Sequence, residues 1–359
     1  MAAAAESIGV DDGKLEEFAN KIMGDVGGAF AILLAYIGDQ TGVFRSLRDD
    51  GPATADALAG RIGVDKRYLL EWLSAQAAAG YVLYDESTHH FSISPEQATV
   101  LAAEGNPVCM QGLMQQVVGQ FETHDKAVET FRSGAGRGWD EHTSCLFCAT
   151  DRFFRPGYEV NLISSWLPSL DGIEFKLKTG AKVADVGCGL GSSTLTMAKA
   201  YPNSQFDGFD FHGPSIEQAR QRAADVGLSG NTDFDILAAK ETPQNGYDLI
   251  CMFDALHDMG DPVGAARRLY ECLAENGTLM LVEPLAGDAL EDNLHLLGQI
   301  FYSASTLICT PTSKAQEVGL ALGAQAGEKR ISEVLREAGF TRIRRATETA
   351  TNIVLEVRR

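Results

Sequence analysis

One stretch, KVADVGCGLGSSTLTMAKAYPNSQFDGFDF from Lys182 to Phe211, limits the possible folds of this chain more than any other. Lys182 to Val186 is an apolar strand, Gly187, Gly189 and Gly191 form a turn, and Ser192 or Ser193 can cap a helix that runs to about Ala200. Glycine is required in such a turn because sharp strand-to-helix reversals use positive φ, and because a Cβ would keep a ligand away from the backbone. A second strand, Gln205 to Phe209, ends in Asp210, 25 residues after Asp185. That is where a carboxylate receives the two hydroxyls of a ribose lying over the turn. A dinucleotide site would show GxGxxG and would seat a pyrophosphate on the helix N-terminus. Here Asp185 stands two residues before the first glycine, a pattern that suits a cationic amino-acid nucleoside instead.

The pattern continues downstream. Asp233 to Leu237 reads as a third strand, Tyr247 to Phe253 as a fourth and GTLMLVEP as a fifth. A helix from Lys329 to Ala338, terminated by Gly339, leads into two final strands, GFTRIRR and NIVLEVRR. With ADVGCGLGSS followed by GFDFHGPSI, this order resembles the class I S-adenosylmethionine-dependent methyltransferases over Thr179 to Arg359. The resemblance implies an α/β fold: a Rossmann-like seven-stranded sheet in the order 3-2-1-4-5-7-6, its last strand pair an antiparallel hairpin. It also implies S-adenosyl-L-methionine as cofactor, with S-adenosyl-L-homocysteine as product. By position, Asp185, Gly187, Gly189, Gly191, Asp210, Phe211, Phe253 and Asp254 would hold the cofactor, Asp254 by touching its ammonium. The family often carries Asp or Asn after the third strand for the adenine amino group, where this chain has Ala238.

The cofactor's sulfonium carries its own leaving group, so the protein must mainly align an acceptor and exclude water. An oxygen acceptor also needs a base, whereas a thioether has no proton to lose. His257, in ALHDMGDP, matches by position the base of O-methyltransferases with an LHDW-type motif, although Met259 replaces the Trp; Asp258 is its neighbour. Glu283, ending the fifth strand, should reach the same cleft, because ligands in such folds sit at strand C-termini. Upstream, Arg152, Arg155 and Tyr158 are spaced three apart, so one helical face would present two guanidinium groups to a substrate carboxylate beside an aromatic wall. An alternative is a surface ion pair with stacked aromatics. The insertion from Asp288 to Ile308 holds Asn293, His295 and Tyr302, with Tyr302 taken as a substrate contact. His142, Cys145 and Cys148 have HxxCxxC spacing but no fourth ligand, so packed thiols and no metal are expected.

Ahead of the nucleoside segment, ATADALAG through HHFSIS reads as a helix at Ala55 to Arg61, a turn at Gly63, a helix from Asp65 to Ala78, and strands Tyr81 to Tyr84 and His90 to Ile93. This is a winged helix-turn-helix order. Charge opposes nucleic acid as its partner: residues 1–100 hold 7 Lys+Arg against 15 Asp+Glu, and the whole chain of 359 residues carries a net charge of -19. The expected division is a mostly helical winged-helix dimerisation domain over 1–105, a helical linker and active-site roof over 106–178, and the cofactor domain over 179–359. The apolar run Gly27 to Gly38 is about 12 residues where a membrane span needs roughly 20, its upstream flank is acidic, and seven scattered cysteines suit a reducing compartment. A cytoplasmic homodimer with no membrane contact is expected.

The whole chain is similar to winged-helix methyltransferases of actinobacteria and to marine bacterial methylthiohydroxybutyrate S-methyltransferases, and it shares its plan with small-molecule O-methyltransferases. The specific expectation is S-methylation of 4-methylthio-2-hydroxybutyrate, on the route to dimethylsulfoniopropionate. Alternatives are O-methylation of a natural-product hydroxyl with His257 as base, and a cofactor-sensing transcriptional regulator.

Overall fold

Asp11 accepts a hydrogen bond from the Lys14 amide and starts α1 (Asp12–Thr41), which Gly42 ends in a left-handed turn at φ 80°. The computed structural model describes residues 9–359, and the chain divides into two compact units between Phe121 and Glu122. In the first unit α2 (Val43–Asp49), α3 (Ala55–Ile62), α4 (Lys66–Ala78), the hairpin β1 (Leu83–Asp85) and β2 (His90–Ser92), α5 (Pro95–Leu101) and α6 (Gln111–Phe121) follow. Phe44, Leu58, Leu73 and Trp72 form its core, and the Trp72 indole N–H donates to the Leu34 carbonyl of α1 at 2.7 Å. On α4, Lys66 is paired with Asp56 and Arg67 with Glu71.

α1 buries only Ala31, Ala35 and Gly38 and exposes Leu15, Phe18, Ile22, Met23, Val26, Phe30, Leu33 and Ile37. By length and composition alone it is long enough to cross a membrane, with a mean hydropathy of 1.4 over its most apolar window. The Gly27 to Gly38 run is the C-terminal part of this helix, which begins 15 residues before Gly27. The same helix carries Lys21, Asp25 and Asp39, and it packs on the unit's core through Ala35.

The second unit contains α7 (His124–Ser133), α8 (Ser144–Asn161), a π-helical turn Leu162–Trp166 and α9 (Ile173–Thr179) ahead of the sheet. The strands and helices then alternate: β3 (Lys182–Val186), α10 (Ser192–Ala200), β4 (Gln205–Asp210), α11 (Gly213–Asp225), β5 (Thr232–Ile236), β6 (Tyr247–Phe253), α12 (Pro262–Cys272) and β7 (Leu273–Pro284). After α13 (Leu296–Ala304), α14 (Thr310–Lys314) and α15 (Gly327–Glu337), the chain closes with β8 (Arg342–Glu348) and β9 (Asn352–Arg358). The sheet order is β5-β4-β3-β6-β7-β9-β8, with β9 antiparallel to both its neighbours. Renumbered from β3, that is the expected 3-2-1-4-5-7-6.

Both faces of the sheet are covered, which explains strands that are apolar at every position rather than at alternate ones. Ala184, Ile250, Leu281 and Leu355 pack under α12 and α15, while their neighbours Val183, Leu249, Met280 and Val354 pack under α9, α10 and the Leu162–Trp166 turn. The insertion from Asp288 to Ile308 is helical over much of its length: a 3-10 turn, Leu290–Asn293, then α13, then a π-helical turn, Ser305–Cys309.

Candidate active site

The C-terminal ends of β3, β4, β6 and β7 converge, and each delivers a carboxylate: Asp185, Asp210, Asp254 and Glu283. Asp185 is buried. One of its oxygens accepts hydrogen bonds from the Ser193 and Thr194 hydroxyls, both at 2.6 Å, and the other has no partner. Burial raises its pKa to about 6, against the pull of those two hydroxyls. Neither serine caps α10, whose N-cap is Gly191; Ser193 turns to Asp185 and Ser192 donates to Asp151 on α8. The capping expectation is therefore corrected: the carboxylates compete for the hydroxyls and win.

Gly187, Gly189 and Gly191 all have positive φ. At Gly191 a Cβ would stand 3.0 Å from Ala219 Cβ and from the Phe234 ring, so this glycine serves packing. At Gly189, φ 53°, a Cβ would meet nothing within 4 Å, so the turn faces open space there. Asp210 frames that space, accepting the Gly189 N–H at 2.9 Å and the His212 N–H at 2.8 Å on separate oxygens. Each oxygen keeps a lone pair for a further donor. Burial raises the Asp210 pKa. Phe211, next along, is exposed.

β6 ends at Phe253, whose ring lies 5.2 Å from that of Tyr158 and 6.2 Å from that of Trp166. Asp254 then takes up φ 49°, a left-handed conformation that a non-glycine residue adopts only when its surroundings enforce it. Its N–H donates to the Val282 carbonyl and one carboxylate oxygen accepts from the Asn352 amide at 2.7 Å. The other oxygen is enclosed without a partner. Burial, reinforced by Glu283, raises the Asp254 pKa to about 8, and the same burial with Asp254 and Asp185 nearby raises that of the Tyr158 hydroxyl. Two buried carboxylate oxygens without donors beside an open glycine turn fit a nucleoside with a cationic amino-acid arm, which would supply those donors.

On the far side, the buried Glu283 accepts the Leu256 N–H at 2.9 Å on one oxygen, and its other oxygen lies 2.6 Å from His257 Nδ1. His257 Nε2 is 3.2 Å from Asp258 Oδ1. Burial would push the imidazole toward neutrality. The carboxylates of Asp258 and Glu283 outweigh it, with Cys309 adding to them, and hold its pKa well above 6.5. Burial also raises Asp258, opposed by His257.

The other expected residues are less uniformly placed. Tyr158 reaches the site and stacks on Phe154. Arg155 lies 3.6 Å from Asp151, which Arg222 also engages at 3.0 Å, so this guanidinium already has an anion and not an open substrate carboxylate. Arg152 is likewise engaged. Tyr302 is half-buried on α13, and Asn293 and His295 serve local structure, the first holding the backbone of Gly287 and Ala289, the second capping α13. His142 is buried with neither ring nitrogen bonded, and burial lowers its pKa to about 4; Cys148 is exposed, and the Cys145 side chain is outside the described residues. Sequence reasoning missed Asn352, Thr194 and Cys309. Thr194 follows the anticipated serines directly, but Asn352 is 98 residues from its partner and Cys309 lies just past the Asp288–Ile308 insertion, where the sequence shows no motif.

Known proteins resemble this chain at the level of its domains and fold. Residues 177–339 match the model of a methyltransferase domain, and residues 28–103 match the Rv2258c-like winged HTH domain. Phosphoethanolamine N-methyltransferase 3 of Arabidopsis thaliana is 31% identical over 109 residues, which is 30% of this chain and 22% of that protein. Trans-aconitate 2-methyltransferase of Afipia carboxidovorans is 30% identical over 116 residues, 32% of this chain and 42% of that one. The chain thus spans less than half the length of these relatives. Human N-acetylserotonin methyltransferase, solved with S-adenosylmethionine, shares the fold over 100% of this chain and 99% of its own, with TM-score 0.70 at 17% identity. The mitomycin 7-O-methyltransferase structure aligns over 97% and 99%, with TM-score 0.69 at 20% identity.

Proposed function

Because this chain joins a winged helix-turn-helix domain to a methyltransferase domain, we propose that it transfers a methyl group from S-adenosylmethionine to a hydroxyl oxygen of a small molecule, with His257 as base. The observation that carries this reading is the 2.6 Å contact between His257 Nδ1 and the fully buried Glu283. A carboxylate on Nδ1 fixes the ring and stabilises the imidazolium that forms when Nε2 takes a proton. The mitomycin 7-O-methyltransferase structure and that of human N-acetylserotonin methyltransferase, solved with S-adenosylmethionine, each cover nearly the whole chain, which supports this reading.

When bound, the cofactor supplies an electrophilic methyl on a sulfonium that is its own leaving group. The remaining work falls to the chain. Asp210 holds the ribose hydroxyls, the free oxygens of Asp185 and Asp254 receive the ammonium, and the open face of Gly189 lets the nucleoside approach the backbone. Tyr158, Trp166 and Phe253 exclude water, Asn352 and the Val282 carbonyl keep Asp254 in place, and Glu283 aims His257. Residues 144–161 act as a roof above the strand ends, and the exposed apolar face of α1 pairs two copies into a homodimer.

S-methylation of a carboxylate-bearing thioether such as 4-methylthio-2-hydroxybutyrate is the second reading. The aromatic group Phe154, Tyr158, Trp166 and Phe253 favours it, since ring faces stabilise a forming sulfonium. The engagement of Arg155 by Asp151 argues against it. The deciding experiment measures S-adenosylhomocysteine formation with phenols, hydroxy acids and thioethers, for the wild type and His257→Ala. An oxygen acceptor should lose on the order of 100-fold or more in rate. Turnover of a thioether that survives the substitution would replace the first reading by the second.

A further inference from the structure

We propose that His257, Asp258 and Cys309 bind a divalent cation of the zinc class, and that the bound ion silences the base. The silencing rests on the reading of His257 as base; the binding rests on geometry alone.

In the neutral ring, donation from Nδ1 to Glu283 leaves the lone pair of His257 on Nε2. That lone pair faces Asp258 Oδ1 at 3.2 Å, an enclosed oxygen with no hydrogen bond. Two lone pairs at this distance repel, so in the metal-free protein a proton on Nε2 joins them, and a metal ion that replaces this proton makes the same bridge. Cys309 turns the pair into a triad: one ligand atom from each of the three residues lies within 4.8 Å of the others. Tetrahedral zinc, with bonds of about 2.0–2.3 Å, separates its ligands by roughly 3.3–3.8 Å. The nitrogen and oxygen are already at nearly that separation.

The donors also match in kind. Imidazole, carboxylate and thiolate are the three side-chain types that zinc prefers, and a carboxylate behind the histidine is the usual way such a ligand is oriented. Two local elements deliver them. His257 and Asp258 are adjacent on the 3-10 turn Leu256–Asp258, and Cys309 ends the π-helical turn Ser305–Cys309, a widened geometry common at functional sites. As the metal–nitrogen and metal–sulfur bonds form, the imidazolium Nε2 and the Cys309 thiol each release a proton to solvent, so a carboxylate and a thiolate neutralise the doubly charged ion. Three protein ligands leave a fourth position, reached from the side where Asp258 is a quarter exposed. With Nε2 coordinated, no lone pair remains to take a proton from an acceptor.

Titration of the metal-free full chain with Co(II) tests the site directly, because a thiolate bound to cobalt absorbs in the near ultraviolet. One equivalent should produce the band, Zn(II) should displace it, Cys309→Ala should abolish it, and Cys148→Ala should leave it intact. His257→Ala should weaken binding at least 100-fold while circular dichroism and the melting transition report whether the variant is folded. In the methyl-transfer assay, zinc should inhibit the wild type at roughly tenfold or more lower concentration than Cys309→Ala, each measured against its own metal-free rate. A missing band, or one that survives Cys309→Ala, overturns the site. A band without inhibition overturns the silencing. The absorbance needs no turnover, so a failed methyltransferase reading and a failed metal site give different results.

Discussion

At the scale of single residues, the site is set by burial acting on carboxylates and one imidazole. The carboxylates of Asp258 and Glu283 hold the His257 pKa above its ordinary value against burial, so the unprotonated ring that a base needs is favoured by higher pH. Oxygen methylation should therefore rise with pH to a midpoint above 6.5, measured as kcat/KM across the range, and a rate that falls over that range would contradict the base assignment. Stability should run the other way. The stabilisation tied to protonated His257 is complete below the ordinary value and is lost as pH rises past the folded one. Asp185 and Asp254 keep protons up to about 6 and about 8 that the unfolded chain gives up near 3.8. Stability of the ligand-free protein should therefore fall as pH rises, from about 4 to 6 through Asp185, from about 4 to 8 through Asp254, and from about 6.5 upward through His257. A cationic ligand compensates by pairing with the ionised acids, so the rise in Tm on adding S-adenosylmethionine should grow across this window. Scanning fluorimetry at several pH values checks both, and a Tm increment that shrinks with pH would show that the acids do not receive the cation.

Among the elements, the backbone path of β3, its turn and α10 was legible, because glycine spacing and a terminal acid encode it directly, whereas the roles of Ser192 and Ser193 were not. One glycine in this turn and one on the neighbouring β4 separate ligand from packing. Gly189→Ala places a methyl in open space at φ 53°, so it should cost only about 1–2 kcal/mol in stability yet weaken cofactor binding tenfold or more, read by urea unfolding and calorimetry. Gly208→Ala on β4 would put its methyl 2.5 Å from Phe234, so it should cost about 1–3 kcal/mol through overpacking. Equal effects on binding from the two changes would remove the distinction. Less legible were contacts fixed by topology: Asn352 meets Asp254 only because β9 inserts between β7 and β8, and a residue pattern in one segment says nothing of its neighbour in the sheet. The ion pairing of Arg155 on α8 was hidden for a related reason. Helical spacing aligned it with Arg152, but Asp151, four residues before Arg155, claims that guanidinium.

For the whole molecule, two features matter: an exposed apolar helix and a large negative charge. Leu15, Phe18, Ile22, Val26 and Phe30 follow one another at helical spacing on α1, a stripe that a second copy would cover. Phe18→Glu with Ile22→Glu should convert a dimer of 38.6 kDa chains to monomers in sedimentation equilibrium without moving the Tm of the second unit. A wild type that already sediments as a monomer would refute the pairing.

The acids at the strand ends lie in a chain of net charge -19, and together they should sort ligands by valence. A donor that arrives with one excess positive charge and departs as a net-neutral thioether would be drawn in by the field and then no longer held by it. Loading would then be faster in dilute buffer than in concentrated salt, while the escape of the spent nucleoside would respond little to ionic strength. Each turnover would thus discharge the electrostatic attraction that began it.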